Sequence, residues 1–391
     1  MKLNIKYCDF CHSKDLSYVY EVPDSRLKAS IYVCSNCSLT QSLSKKNPAI
    51  KERVVTTSSG ANWGNIRHGK GLRLEKALPY LTELFNKSKI KEIIDIGSNR
   101  GDFIVWLNKN YPKIKITGVE PDKNVIDLYK NLKNSKLYTN RLENIDLPKD
   151  KFDFVYCSHT LEHADSASAM LKKIFEITKI NGYVFLEIPN IEIIGDEDVV
   201  EEFFIDKHTF HFNRNLLVEY LKYLNFKIIE GEDSQDKSNI TFIIKKTGKQ
   251  ISTKDFNKKN LKLVDKNKLI IKKYKKTLTE NRKKLKIIAN KLYEFSQRQR
   301  VVFWGGGRIF DSLVVYGGLK TDKLLGVIDK YLYKLIPSVH GVILKGPEFL
   351  RFSPPDVVVI LAKSSTDEIE KEVRNYGIRH VIKFADLITS I

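Results

Sequence analysis

The sequence predicts an α/β protein with two Rossmann-like units, preceded by a small cysteine-bearing module. Three observations carry this. Apolar strand-like runs alternate with helix-like segments across residues 61–247, and alternate again across 300–391. Such a rhythm builds a parallel sheet with helices on both faces. Two Cys-x2-Cys pairs stand ahead of it, Cys8 with Cys11 and Cys34 with Cys37.

The first segment, residues 1–60, is read as a zinc-binding module. Each cysteine pair fits a knuckle turn that presents two thiolates on one side, and two knuckles complete a tetrahedral sulfur shell for Zn2+. The 22 residues between the pairs exceed the usual ~15–20. The intervening LSYVYEVPDSRLKASIYV supplies strands for a longer hairpin. Four thiolates leave no open coordination position, so the expected metal is structural. The fifth cysteine, Cys157, lies on an apolar strand and is expected to pack.

Residues 61–247 form the next segment. LRLEKALPYLTELF is amphipathic. Then come the strand KEIIDIG, the helical DFIVWLNKNY, the strand ITGVE, the helical NVIDLYKNLK, the strand FDFVYCS, the helical SAMLKKIFEITK and the strand YVFLEIP. Sheets of this kind bind ligands beyond the C-terminal ends of their strands.

Residues 248–299 are a Lys-rich helical linker. Ile271, Tyr274, Leu278, Leu285, Ile288, Leu292 and Phe295 recur at steps of three and four, with Asn281 in the gap. This is an a/d seam. It is read as a helix packed on its own chain, with a homodimer through residues 268–296 as the alternative. Residues 300–391 hold the runs VVFWGGG, LLGVIDK, DVVVILA and HVIKF. Gly305, Gly306 and Gly307 with Asp329 hint at a second nucleotide site there; a retained Rossmann shape that contributes contacts to the substrate is the preferred reading, with pure scaffold as the other alternative.

The strongest functional signal is EIIDIGSNRGDF. A strand ends near Asp95, a small-residue loop holds Gly97, Ser98, Asn99 and Gly101, and a helix begins near Asp102. The next strand ends in GVEPD, which sets Glu120 and Pro121 at its tip. An acid there accepts ribose hydroxyls. Dinucleotides and S-adenosylmethionine (SAM) both fit a glycine loop followed by an acid. The Gly97-x3-Gly101 spacing departs from G-x-G-x-x-G, and Asp95 suits a sulfonium ligand with a free amino group better than a pyrophosphate.

This segment resembles the class I SAM-dependent methyltransferases. By that resemblance Asp95, Gly97, Ser98, Asn99, Gly101 and Asp102 line the cofactor, and Glu120 with Pro121 holds the ribose. Glu143 stands beside the adenine, and Ser158 and His159 stand at the fourth strand tip. Methyl transfer also needs a group that takes the acceptor's proton. His163 in HTLEH and His208 in DKHTFHF are the catalytic candidates. His211 is placed among the substrate residues.

The order of all four segments looks like the sugar-nucleotide C-methyltransferase family, which methylates a nucleotide-linked keto sugar at carbon through a histidine base. The family's Tyr-His-Glu-His run corresponds to Ile205-Asp206-Lys207-His208, where only the last histidine is kept. Its Tyr before a Ser-Ser pair is replaced, since Thr56 and Thr57 precede Ser58 and Ser59. Ser58, Trp63 and His68 are placed in the acceptor pocket. The resemblance implies methylation at carbon or oxygen of a nucleotide-activated sugar or related glycan precursor.

Composition excludes several other classes. The 391 residues are 42% hydrophobic and 29% charged, which argues against global disorder. There is no apolar run of membrane-spanning length and no secretory h-region at MKLNIKYCDFC, so a cytoplasmic protein is expected. The net charge of +20 is concentrated: residues 245–300 hold twenty Lys and Arg against four Asp and Glu. A solvated helix accounts for that, and its locality argues against a nucleic-acid groove. The alternatives are an RNA-modifying methyltransferase and a SAM-binding protein whose catalytic set has decayed.

Overall fold

The computed structural model describes residues 7–44, 72–248 and 259–391, together with residue 256 and without residues 24, 100, 131, 133, 197, 232–236, 335 and 363–364. Two compact units emerge. One is drawn from the N-terminal module with residues 68–194 and 204–272, the other from residues 195–203 and 273–391. These units cut across the four sequence segments.

In the first unit, β1 (Leu16–Glu21), β2 (Ala29–Cys34) and β3 (Thr40–Ser44) form an antiparallel sheet beside the knuckles. Helix α1 (Leu72–Lys87) packs Leu81 and Phe85 inward. The major sheet is built from β4 (Glu92–Ile96), β5 (Lys115–Val119), β6 (Ser135–Tyr138), β7 (Phe152–Ser158) and β8 (Thr178–Pro189). After it come β9 (Phe210–His211), β10 (Phe226–Gly231) and β11 (Asn239–Lys246). The seven-stranded order is β10-β11-β8-β7-β4-β5-β6. The strands from β6 to β8 are parallel, whereas β11 runs antiparallel to β8 and β10 antiparallel to β11. Ile93, Ile94, Phe154, Val155, Phe185 and Leu186 are fully buried, as continuous apolar runs in a two-faced parallel sheet must be. Strand β9 leaves this sheet and pairs with β3.

Helix α2 (Asp102–Asn110) follows β4. Helix α3 (Ala167–Ile177) starts where Ser166 Oγ accepts the Ala169 N–H at 3.1 Å. Helix α4 (Arg214–Tyr223) starts where Asn213 accepts the Leu216 N–H at 2.9 Å. Each is an N-cap that satisfies an orphan donor. The segment expected as a helix at NVIDLYKNLK is a 3-10 stretch, Lys123–Tyr129.

The Lys-rich segment is one helix, α5 (Leu261–Arg298). Its seam is covered by its own chain: Ile271, Tyr274, Leu285 and Ile288 are 0% exposed. Asn281 fills its gap with a bond from Nδ2 to the Val199 carbonyl at 2.8 Å. The a/d seam is therefore packed within the chain, as the first of the two readings of this helix expects.

In the second unit, β12 (Val301–Trp304), β13 (Gly326–Ile328), β14 (Ser338–Val339), β15 (Val342–Lys345), β16 (Val357–Ile360) and β17 (His380–Lys383) form a sheet. Its order is β14-β15-β13-β12-β16-β17, parallel except for β14. The Asp329 carboxylate accepts the N–H groups of Gly306, Tyr331 and Leu332 at 3.3, 3.1 and 2.9 Å. It thus organises its own loop.

Candidate functional site

The order in which strands are added to the major sheet reverses between β4 and β7, the switch point beyond whose C-terminal ends sheets of this kind bind ligands in a crevice. The chain leaving β4 must turn at once. Gly97, Asn99 and Gly101 do so with φ of 75°, 45° and 81°. A side chain on Gly97 has no room, since a Cβ would lie 2.9 Å from Thr160 Cγ2 and closer still to its Oγ1. Thr160 belongs to the loop after β7, so the two strand tips are in contact across the crevice. Its Oγ1 lies 3.0 Å from the Ile96 carbonyl and 3.1 Å from that of Ser158.

Glu120 stands at the tip of β5 and ties this loop down. One carboxylate oxygen accepts the Asn99 N–H at 2.8 Å and the other the Asp122 N–H at 2.9 Å. Each oxygen keeps a second lone pair for a ligand hydroxyl. The Tyr129 hydroxyl donates to the Asn99 carbonyl at 2.7 Å and lies 2.8 Å from Ser98 Oγ. Asp95 is 2% exposed. Burial, then the charges of Glu120 and Asp102, raises its carboxyl well above the usual range. Burial raises Glu120 as well, and Glu143 in the 3-10 turn Leu142–Asn144. A buried carboxyl raised by acidic neighbours, as Asp95 is, is relieved by a cationic ligand. The donor set therefore fits a group carrying a sulfonium, an ammonium and a ribose diol.

Beyond β7, Ser158 Oγ donates to Glu187 Oε2 at 2.5 Å. His159 lies between two acids, its Nδ1 3.4 Å from Glu162 and its Nε2 3.9 Å from Glu187. His163 closes a 3-10 turn, Leu161–His163. Its Nδ1 lies 3.1 Å from the Lys207 carbonyl. Burial pushes its pKa below the ordinary imidazole value, against the pull of Glu162. Its ring centroid is 4.8 Å from that of His208. The two catalytic candidates, 45 positions apart in sequence, therefore meet.

His211 lies beside them, its ring meeting that of His208 edge-on with centroids 6.4 Å apart. It is 3% exposed. Its Nε2 lies 2.8 Å from Ser42 Oγ, and its ring meets Phe204 edge-on at 4.7 Å. Burial drives its pKa to about 3. Packing, rather than substrate contact, is what its surroundings support. Ser58, Trp63 and His68 lie outside the described residues. Residues that sequence reasoning passed over include Tyr129, Thr160, Glu162 and Lys207. Burial lowers the Lys207 pKa, while Asp122 and Glu120 pull it up. Only Glu162, between the histidines of HTLEH, carried a sequence signal.

In the N-terminal module the cysteine sulfurs converge. Cys8 and Cys37 Sγ are 3.4 Å apart, and Cys11 and Cys34 Sγ 3.5 Å. All four lie within 4.8 Å of one another. A zinc ion with ~2.3 Å bonds to sulfur needs tetrahedral edges of about 3.8 Å, so the four cysteines fit it. A disulfide would need ~2.05 Å.

Residues 67–230 match the family model described as a methyltransferase domain. That segment of the chain reads as a methyltransferase domain. Among curated proteins, this chain is 27% identical over 139 residues to an uncharacterized protein of Methanocaldococcus jannaschii, covering 34% of this chain and 33% of that one. It is 28% identical over 116 residues to the tRNA U34 carboxymethyltransferase of Sulfurimonas denitrificans, covering 28% and 38%. The chain thus spans little more than a third of these relatives' own length. Among solved structures, the chain is similar to the 1,6-didemethyltoxoflavin-N1-methyltransferase of Burkholderia thailandensis. That match has 14% identity and a TM-score of 0.40, over 59% of this chain and all of that one.

Proposed function

We propose that this protein transfers a methyl group from SAM to a carbon or oxygen of a nucleotide-activated sugar or related glycan precursor. The observation that carries the reading is the buried Asp95 at the bend before Gly97, its carboxyl raised by burial and by the charges of Glu120 and Asp102. SAM, when bound, supplies an activated methyl group. Asp95 answers the positive end of the donor and Glu120 its ribose diol, while Glu143 stands toward the adenine. His163, kept neutral by burial, and His208 beside it take the acceptor's proton. The order of segments along the chain supports the sugar-nucleotide acceptor, through the family it resembles. In this reading the units are a zinc-bearing module, residues 1–60, a methyltransferase core, 61–247, a helical linker, 248–299, and a C-terminal Rossmann-like domain, 300–391.

The test is incubation of the full chain with isotopically labelled SAM and a panel of nucleotide-sugars, with mass analysis of the products. A labelled sugar-nucleotide supports the proposal, and the labelled fragment locates the new group. Tight SAM binding with no turnover on any member favours a non-catalytic SAM-binding protein. A second reading, methylation of RNA, draws on the relative named as a tRNA carboxymethyltransferase and on the lysines of α5. It requires RNA binding that weakens steeply with salt.

A further inference from the structure

Glu162, His163 and His208 bring a carboxylate oxygen and two imidazole nitrogens within 4.8 Å of one another. Glu162 is 2% exposed. The His163 Nδ1 faces the Lys207 carbonyl at 3.1 Å. A carbonyl only accepts, so Nδ1 carries the ring proton and Nε2 keeps its lone pair. That Nε2 lies 3.8 Å from Glu162 Oε1. Two lone-pair atoms therefore face each other across a gap that a cation would bridge. A backbone carbonyl that fixes the tautomer of a histidine is also the usual outer support of a metal-bound imidazole.

We propose that Glu162, His163 and His208 form a second metal site, for a borderline divalent cation such as Zn2+, Co2+ or Mn2+. Two imidazoles and one carboxylate suit such ions and leave coordination positions open. Bonds of ~2.1 Å need ligand atoms about 3–3.4 Å apart, so the side chains draw in by roughly an ångström on loading. His159, with Nδ1 3.4 Å from Glu162 Oε1, helps to hold the carboxylate. This inference rests on the methyl-transfer reading and changes what the histidines do in it. An oxygen of the acceptor takes an open position on the cation. Its O–H bond breaks there, the electron pair stays on the metal-bound oxygen, and the proton leaves to solvent.

The test is a Co2+ titration of the full chain with its four cysteines already filled by zinc. The expected result is one equivalent of Co2+ with weak visible bands and no intense sulfur charge-transfer band. His163→Gln and His208→Gln should each weaken that uptake tenfold or more. Absence of uptake, uptake with a sulfur band, or uptake unchanged in both variants overturns the proposal. Circular dichroism checks folding. His208 is half-buried, so its variant decides the matter if His163→Gln does not fold. SAM calorimetry on the same samples separates the two readings. SAM binding without Co2+ uptake overturns this site alone, and Co2+ uptake without SAM binding overturns the methyl-transfer reading.

Discussion

Replacing Gly97 by Ala tests the contact between the two strand tips that shape the crevice. At φ 75° an L-residue is strained by ~1–2 kcal/mol. The new methyl would sit inside the contact distance of Thr160 Oγ1, 2.9 Å from its Cγ2 and 3.0 Å from its Cβ. Thr160 cannot rotate away without giving up the Ile96 and Ser158 carbonyls, and a hydrogen bond of this kind contributes about 1 kcal/mol. The expected destabilisation is ~3 kcal/mol, measured by chemical denaturation. SAM affinity, measured by calorimetry, should fall at least tenfold because the crevice is wedged at its base. The double variant Gly97→Ala with Thr160→Ala removes the obstructing side chain and leaves the backbone strain. Its loss should therefore be smaller than the two single losses together by about 1 kcal/mol, a coupling expected only of touching residues. A Gly97→Ala protein within ~0.5 kcal/mol of wild type, or strict additivity in the double variant, would refute the reasoning.

Four further outcomes are expected. Glu120→Gln keeps the shape but loses the charge that accepts the Asn99 and Asp122 N–H groups. SAM affinity should drop roughly tenfold or more by calorimetry, since hydrogen bonds to charged groups contribute about 1.5–3 kcal/mol. Lys246→Met strands the Phe175 and Thr178 carbonyls, now bonded to Nζ at 2.8 and 2.9 Å. Denaturation should show a loss of about 2–3 kcal/mol. His211 has a folded pKa of about 3 against 6.5. Between those values the unfolded chain binds the proton and the folded one does not, so stability is full above pH 6.5 and falls as pH drops. The slope is up to ~1.4 kcal/mol per pH unit, and pH-dependent denaturation of His211→Asn should lack it. Cys34→Ser should lose zinc by metal analysis and loosen the N-terminal module. Full zinc content would contradict that.

Local pattern made much of the fold legible. The apolar run around Ile93 and Ile94 and the turn residues Gly97 and Gly101 mark a strand, a bend and a helix with no long-range information. The cysteine knuckles are likewise local. The seam of α5 announced a buried face through its period, but periodicity does not say what covers it, and the chain's own core does. Three features were invisible for a physical reason. Thr160 matters only because Gly97 lacks a side chain 63 positions earlier. Lys207 matters because its carbonyl meets His163. The pairing of β9 with β3 involves two residues, too few for any alternation to show. His211 looked like a ligand because a histidine's chemistry is visible in sequence, whereas its burial against Ser42 and Phe204 is not.

That short pairing has a consequence for how the molecule responds to its surroundings. Thr40 lies opposite His211, Gln41 lies opposite Phe210, and the Ser42 N–H donates to the Thr209 carbonyl at 2.8 Å. The segment bearing His208 is thus stitched to the strand that begins three positions after Cys37. Oxidising the thiols, or stripping any zinc they hold with a chelator, would slacken that stitch. The resulting damage would register as misplacement of an imidazole.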